Sequence, residues 1–144
     1  MDSRHTCIRS FPVRRFAVGA IATLFGALAA AASPVTTADL LKDPKFKSAY
    51  RAALGSEAAQ KWLIGMTNSG QVYEVILAGE TFQVATPCKP HDCADNNLLL
   101  LYSPAKGLVY GHLHQQGRAT LLGAPGTAMR LELQRLWRKE FRQQ

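Results

Sequence analysis

Several recurrent signatures are missing from this chain. Its 11 glycines follow no phosphate-cradling spacing, which excludes P-loop and dinucleotide-type nucleotide binding. No internal repeat or low-complexity tract follows residue 33, so a solenoid or repeat array is excluded. No Ser/His/Asp order supports a hydrolytic triad, and no acid–nucleophile carboxylate pair stands out; Asp92 and Asp95 near Glu80 read as solvated loop residues. Acidic residues are few, 10 against 17 lysines and arginines, for a net charge of +7. The excess is spread along the chain rather than clustered, so nucleic-acid binding has no specific support. Cysteine is scarce too, three in 144 residues.

The N-terminus accounts for part of that charge and for the odd cysteine. Residues 1–32 read as a secretory signal peptide: Arg4, Arg9, Arg14 and Arg15 precede an Ala/Gly-rich apolar run from Phe16 to Ala32, and Ala30-Ala31-Ala32 fits a small-residue cleavage site. The run falls short of the ~20 apolar residues of a membrane span, so no stable membrane anchor is expected after cleavage. Arg14-Arg15 hints at twin-arginine export, but the residues after it fit the general secretory route better. Cleavage removes four arginines, Asp2 and Cys7. The remaining domain, 33–144, then holds 13 basic and 9 acidic residues, a net of +4, and keeps only Cys88 and Cys93. Two cysteines in an exported chain are expected to pair.

The mature chain opens helical. Thr37 is a candidate cap for a short turn through Leu41. Asp43-Pro44 starts a helix as N-cap and first residue, with Phe46, Tyr50 and Leu54 at helical spacing and Gly55 as its stop. Ser56 is a candidate cap for a second helix over 57–64. The period then changes to two. Strands are expected over 72–77, 81–85, 98–102, 108–114 and 118–122, joined by connections too short for anything but antiparallel neighbours. The unbroken apolar run Leu98–Tyr102 predicts a strand covered on both faces. His112 and His114 share a strand face with Leu108 and Tyr110 and read as surface residues. From Thr127 a last helix carries Met129, Leu133, Leu136 and Trp137 on one side and Arg130, Arg135, Arg138, Lys139 and Arg142 around the other. That pattern reads as a helix packed on a sheet, with membrane-surface binding the rival. The fold class is α+β: a five-stranded antiparallel meander flanked by N-terminal and C-terminal helices.

The chemistry concentrates in Cys88-Lys89-Pro90-His91-Asp92-Cys93. A bridge closing so short a ring contributes roughly 2 kcal/mol in the loop-entropy model, so its larger effect is local. The bridge and Pro90 both restrict the loop, and a loop ordered in advance loses less entropy on binding. His91 can donate to carboxylates, and an imidazole is the side chain that can carry charge near neutrality. Asp92 is positioned to hold one ring tautomer, and Lys89 adds positive charge. Such a tip suits an acidic cleft. Three rivals stay open on residue types alone. The bridge is a structural staple; or Cys88, His91 and Cys93 hold zinc with His112 or His114 as fourth ligand, although the spacing fits no common structural pattern; or a Cys–His pair is nucleophilic.

The run Glu80-Thr81-Phe82-Gln83-Val84-Ala85-Thr86-Pro87 followed by Cys-Lys-Pro-His-Asp-Cys resembles the inhibitor of vertebrate lysozyme (Ivy) family. The hexapeptide matches that family's signature at every position, and a looser likeness runs from Lys61-Trp62-Leu63 to about Pro125. The resemblance implies a three-layer domain around an antiparallel sheet, export to the periplasm, and a non-enzymatic role as an inhibitor of C-type lysozyme. It implies no cofactor and no metal. It also implies roles for the loop: His91 as the plug that meets the target's catalytic carboxylates, Asp92 as a flanking contact, Lys89 and Pro90 as the shape of the tip, and Cys88–Cys93 as the brace. Bacterial lytic transglycosylases, which cleave the same glycan in an acidic cleft, are an alternative target. A homodimer is one arrangement open to the chain.

Overall fold

A computed structural model describes residues 35–142. The signal peptide expected over 1–32 lies outside the described residues. The element order is α1 (Thr37–Lys42), α2 (Pro44–Leu54), a 3-10 turn (Gly55–Ala59), α3 (Lys61–Ile64), β1 (Tyr73–Leu77), β2 (Glu80–Ala85), β3 (Asn96–Ser103), β4 (Leu108–Gln115), β5 (Arg118–Leu122) and α4 (Thr127–Arg142). The strands pair in sequence order, each antiparallel to the next. The α+β meander read from the sequence is therefore the architecture.

Local chemistry accounts for most boundaries. Asp43 caps α2 by accepting from the Lys45 amide at 2.9 Å, with Pro44 at the first helical position. The cap of α1 is Thr36 rather than Thr37, because Thr36 and Asp39 satisfy one another's backbone amides in a capping box. The helix expected over 57–64 divides instead. Ser56 makes no cap, residues 55–59 form a 3-10 turn, and α3 begins only after Gln60. Ala78-Gly79 and Gln116-Gly117 both carry positive φ at successive residues, the geometry of tight hairpin turns that match strand twist. At Gly123, φ is +76° and a Cβ would stand 1.9 Å from the Val109 carbonyl oxygen, so only glycine fits there.

The sheet is covered on both faces. On one, Leu98, Leu100 and Tyr102 of β3 pack with Phe46, Tyr50, Leu54, Trp62 and Leu63 from the N-terminal helices. On the other, Leu99 and Leu101 pack with Phe82, Val84 and the Leu133, Leu136 and Trp137 side of α4. Every residue of β3 is buried, as the unbroken apolar run requires. The result is three layers: helices, sheet, helix. The basic residues Arg130, Arg135, Arg138, Lys139 and Arg142 all face solvent, so α4 is a helix packed on a sheet with a charged outer side.

That cover corrects the reading of β4. His112 is buried at 6% exposure and His114 is half-buried, both with their rings against Trp137 at 4.7 and 5.0 Å between centroids. Alternation places both on one face correctly, but α4 lies over that face and takes it out of water.

Candidate functional site

The loop between β2 and β3 begins where Pro87 and Cys88 run alongside the start of β3. Leu98 donates to the Pro87 carbonyl at 2.9 Å, Cys88 bridges to Asn97, and Lys89 donates to the Asn96 carbonyl at 3.0 Å. The β2–β3 ladder thus continues into the stem before the covalent bridge is counted. Cys88 and Cys93 form the disulfide, their Cα atoms 4.9 Å apart. The Asn68 side-chain amide approaches both sulfurs, at 3.2 and 3.0 Å, and Thr67 accepts from the Cys88 amide at 3.1 Å.

At the tip, the Asp92 amide donates to the Lys89 carbonyl at 3.0 Å, closing a four-residue turn with Pro90 and His91 at its centre. Pro90 occupies the position where its fixed φ is favoured. His91 has φ +64°, at the position of a type II turn that favours glycine or asparagine. An L-residue held there carries a steric cost, although histidine tolerates it better than branched residues do. The consequence is that His91 stands at the apex, exposed, and among the described residues no hydrogen bond reaches its ring. Lys89 and Pro90 beside it are also exposed.

Asp92 does something other than orient His91. Its Oδ2 accepts from Lys89 Nζ at 3.0 Å and from Asn96 Nδ2 at 2.7 Å. The Lys89 hydrogen bond, with help from Asn96, holds the Asp92 carboxyl below its usual range against the opposing effect of desolvation. The tautomer-holding role expected for Asp92 is thus replaced by a cross-brace: the carboxylate ties Lys89 on one limb to Asn96 on the other, and the imidazole is left free.

The stem on the β3 side rests on residues that sequence reasoning treated as plain loop. Asn97 is fully buried. Its side-chain amide donates to the carbonyls of Cys93 at 2.7 Å and Ala94 at 3.3 Å, and its oxygen accepts from the Trp137 indole at 2.6 Å. Arg142 adds a bond to the Ala94 carbonyl at 3.2 Å. The available signal was position: two asparagines immediately before a fully apolar strand must find partners for their amides if the strand start is buried.

The zinc alternative loses its ligand set. With both sulfurs in the bridge neither is a thiolate. His112 and His114 lie against Trp137 rather than beside His91, and no group of three His, Cys, Asp or Glu side chains converges among the described residues. The nucleophilic Cys–His reading finds no thiol among the described residues, since Cys88 and Cys93 are both in the bridge. What remains is an exposed imidazole on a doubly braced turn, with a lysine and a carboxylate already paired beside it.

A family model described as inhibitor of vertebrate lysozyme (Ivy) matches residues 45–143, which span α2 to α4 and include the loop. The chain belongs to the Ivy family. Among curated proteins it is similar to one from Pseudomonas aeruginosa named inhibitor of vertebrate lysozyme, 32% identical over 75 residues, covering 51% of this chain and 49% of that one. It is 27% identical over 96 residues to an Escherichia coli K12 protein of the same name, covering 66% and 61%. It is also 30% identical over 82 residues to an uncharacterized Yersinia pestis protein, covering 56% and 53%. The matches thus span about half to three-fifths of the length of these Ivy relatives.

Proposed function

We propose that this Ivy-family chain is an exported, non-enzymatic inhibitor of C-type lysozyme that acts in the periplasm and protects the wall from lysis. Residues 1–32 are its export signal and 33–144 the inhibitor domain. The observation that carries the reading is His91: an exposed imidazole with no hydrogen-bond partner among the described residues, held at the apex of a turn that the extended β2–β3 ladder, a disulfide and the Asp92 cross-brace keep in shape. A retaining glycosidase such as lysozyme holds two carboxyl groups about 5–5.5 Å apart. An imidazole inserted between them donates its N–H to the ionised nucleophile, accepts from the protonated acid and fills the space a sugar needs, so acid catalysis and substrate entry stop together. Pre-ordering matters because immobilising a free loop on binding costs about 0.5–1.5 kcal/mol per flexible side chain. Lys89 and Pro90 give the tip its width, and Asp92 is available at its flank.

Long-range charge gives little help. C-type lysozymes are basic and this domain carries a net of +4, so attraction comes from the local field of the acidic cleft. The test is direct. Mature protein mixed with a C-type lysozyme at equimolar excess should arrest clearing of a cell-wall suspension; unchanged clearing sinks the proposal. A parallel assay against a lytic transglycosylase decides whether the same tip also blocks the cell's own wall enzymes.

A further inference from the structure

Trp137 lies 40 residues beyond Asn97 in the chain, on the outermost layer of the domain, yet its indole N–H makes a buried 2.6 Å bond to Asn97 Oδ1. The ring is fixed for that bond by its surroundings. It is 9% exposed, lies against His112 and His114 on β4, contacts Phe141 one turn on, and carries the Arg142 guanidinium 4.7 Å above its face. Asn97 in turn uses both halves of its amide. The oxygen takes the indole proton, and the nitrogen donates to Cys93 and Ala94, the two residues where the loop re-enters the sheet. Without the indole, a buried carbonyl oxygen loses its partner, and only the nitrogen's two bonds are left to fix the rotation of the amide about the Cβ–Cγ bond.

We propose that Trp137 is a positioning residue for the inhibitory loop: acting through Asn97, it fastens the stem at Cys93–Ala94 to the C-terminal helix, with Arg142 as a second tie to the Ala94 carbonyl. The inhibitory part of this inference rests on the function proposed above; the fastening does not. The Cys88 limb has its own backbone tie, its amide donating to the Thr67 carbonyl, while the Asn68 side chain approaches both sulfurs. The two limbs thus have different ties to the domain, Thr67 for one and Asn97 with Arg142 for the other, and the disulfide joins them. Slackening the Cys93 limb alone moves the turn that aims His91 without breaking the bridge.

The test reads the loop without any target. Wild type, Trp137→Phe, Asn97→Asp and the double variant are treated with dithiothreitol under native conditions, and the rate of Cys88–Cys93 reduction is followed by thiol release. Trp137→Phe keeps an aromatic ring against the two histidines but has no donor. Asn97→Asp keeps an acceptor for the indole but cannot donate to Cys93 and Ala94. Each single variant should speed reduction by roughly tenfold, and the double variant should be no faster than the faster single one, because both break the same chain of bonds. Arg142→Ala, an exposed change that leaves the core intact, should give a smaller acceleration in the same direction. Global stability is measured alongside by urea. If Trp137→Phe reduces at the wild-type rate, or if its acceleration equals the fall in its global folding constant, the fastening is wrong and Trp137 is only a core residue. Inhibition of a C-type lysozyme is then measured on the same variants. A loss for Trp137→Phe that tracks its reduction rate supports the aiming role, and full inhibition by a variant with a loosened loop overturns it. A wild type that does not inhibit overturns the proposed function and the aiming role with it, while the reduction rates still decide the fastening.

Discussion

His91→Gly should separate the two demands placed on the loop tip, because it pushes stability and inhibition in different directions. The backbone at His91 has φ +64°. Holding an L-residue in that region costs roughly 1–2 kcal/mol, and glycine removes the cost. Glycine also loosens the unfolded chain, a loss of about 0.4–1 kcal/mol. The two effects oppose, and the ring itself makes no hydrogen bond within the described residues. Net stability should therefore stay within about 1 kcal/mol of wild type. Inhibition should not survive. An imidazole bridging an ionised and a protonated carboxyl makes one charge-assisted bond, at about 1.5–3 kcal/mol, and one neutral bond, at about 0.5–1.5 kcal/mol. Losing both at the low end weakens binding roughly 30-fold. The assay pairs urea denaturation with the inhibition constant from cell-wall clearing. His91→Ala should lose inhibition to a similar degree but be the less stable variant, since alanine pays the same backbone cost without glycine's freedom. If His91→Gly inhibits like wild type, the plug is wrong. If it unfolds several kcal/mol more easily, the turn geometry is wrong.

Three further outcomes follow from the same structure. Replacing both Cys88 and Cys93 by serine should lower stability by about 2 kcal/mol, from the shortness of the ring, while circular dichroism keeps its native form; inhibition should fall by more than that loss of folded protein explains. Burial, with repulsion from His114 adding to it, lowers the His112 pKa in the folded state. The unfolded chain then binds protons first, so stability is complete above about pH 6.5 and is lost as pH falls toward the folded value. Asp39, held at about 2, and Glu80 and Asp92, both lowered, act only in the carboxylate range below that. A urea midpoint flat from pH 7.5 to 5, or a slope that His112→Phe leaves unchanged, would contradict this. Gly123→Ala places a methyl against the Val109 carbonyl at positive φ and should cost roughly 2–4 kcal/mol by urea denaturation; a neutral result would mean the β5–α4 junction is not as drawn.

The legible parts of the chain were those written locally. Asp43-Pro44 carries its own cap, Ala78-Gly79 its own turn, and the leucines of β3 their own burial on both faces. The Cys88–Cys93 bridge was legible from cysteine pairing, whereas residue types alone left three rivals for the loop and only the family resemblance named a role for His91. What escaped notice depends on distant cover. Alternation puts His112 and His114 on one face, but whether that face is wet depends on α4, which arrives later in the chain. Asn97 looked like loop because asparagine favours loops. Its burial is made tolerable by Trp137, a partner no local pattern names. Asp92 was paired with its neighbour His91 on proximity in sequence, whereas the fold gives the carboxylate to Lys89 and Asn96.

The central claim is that His91 occupies the catalytic cleft of a C-type lysozyme. The most direct measurement is the affinity of the wild-type protein for that lysozyme, by calorimetry, with and without a saturating chitooligosaccharide bound in the cleft. The account expects apparent affinity to fall in proportion to the oligosaccharide concentration, because the two compete for one space. Affinity that is independent of the oligosaccharide would place the contact elsewhere and contradict the account.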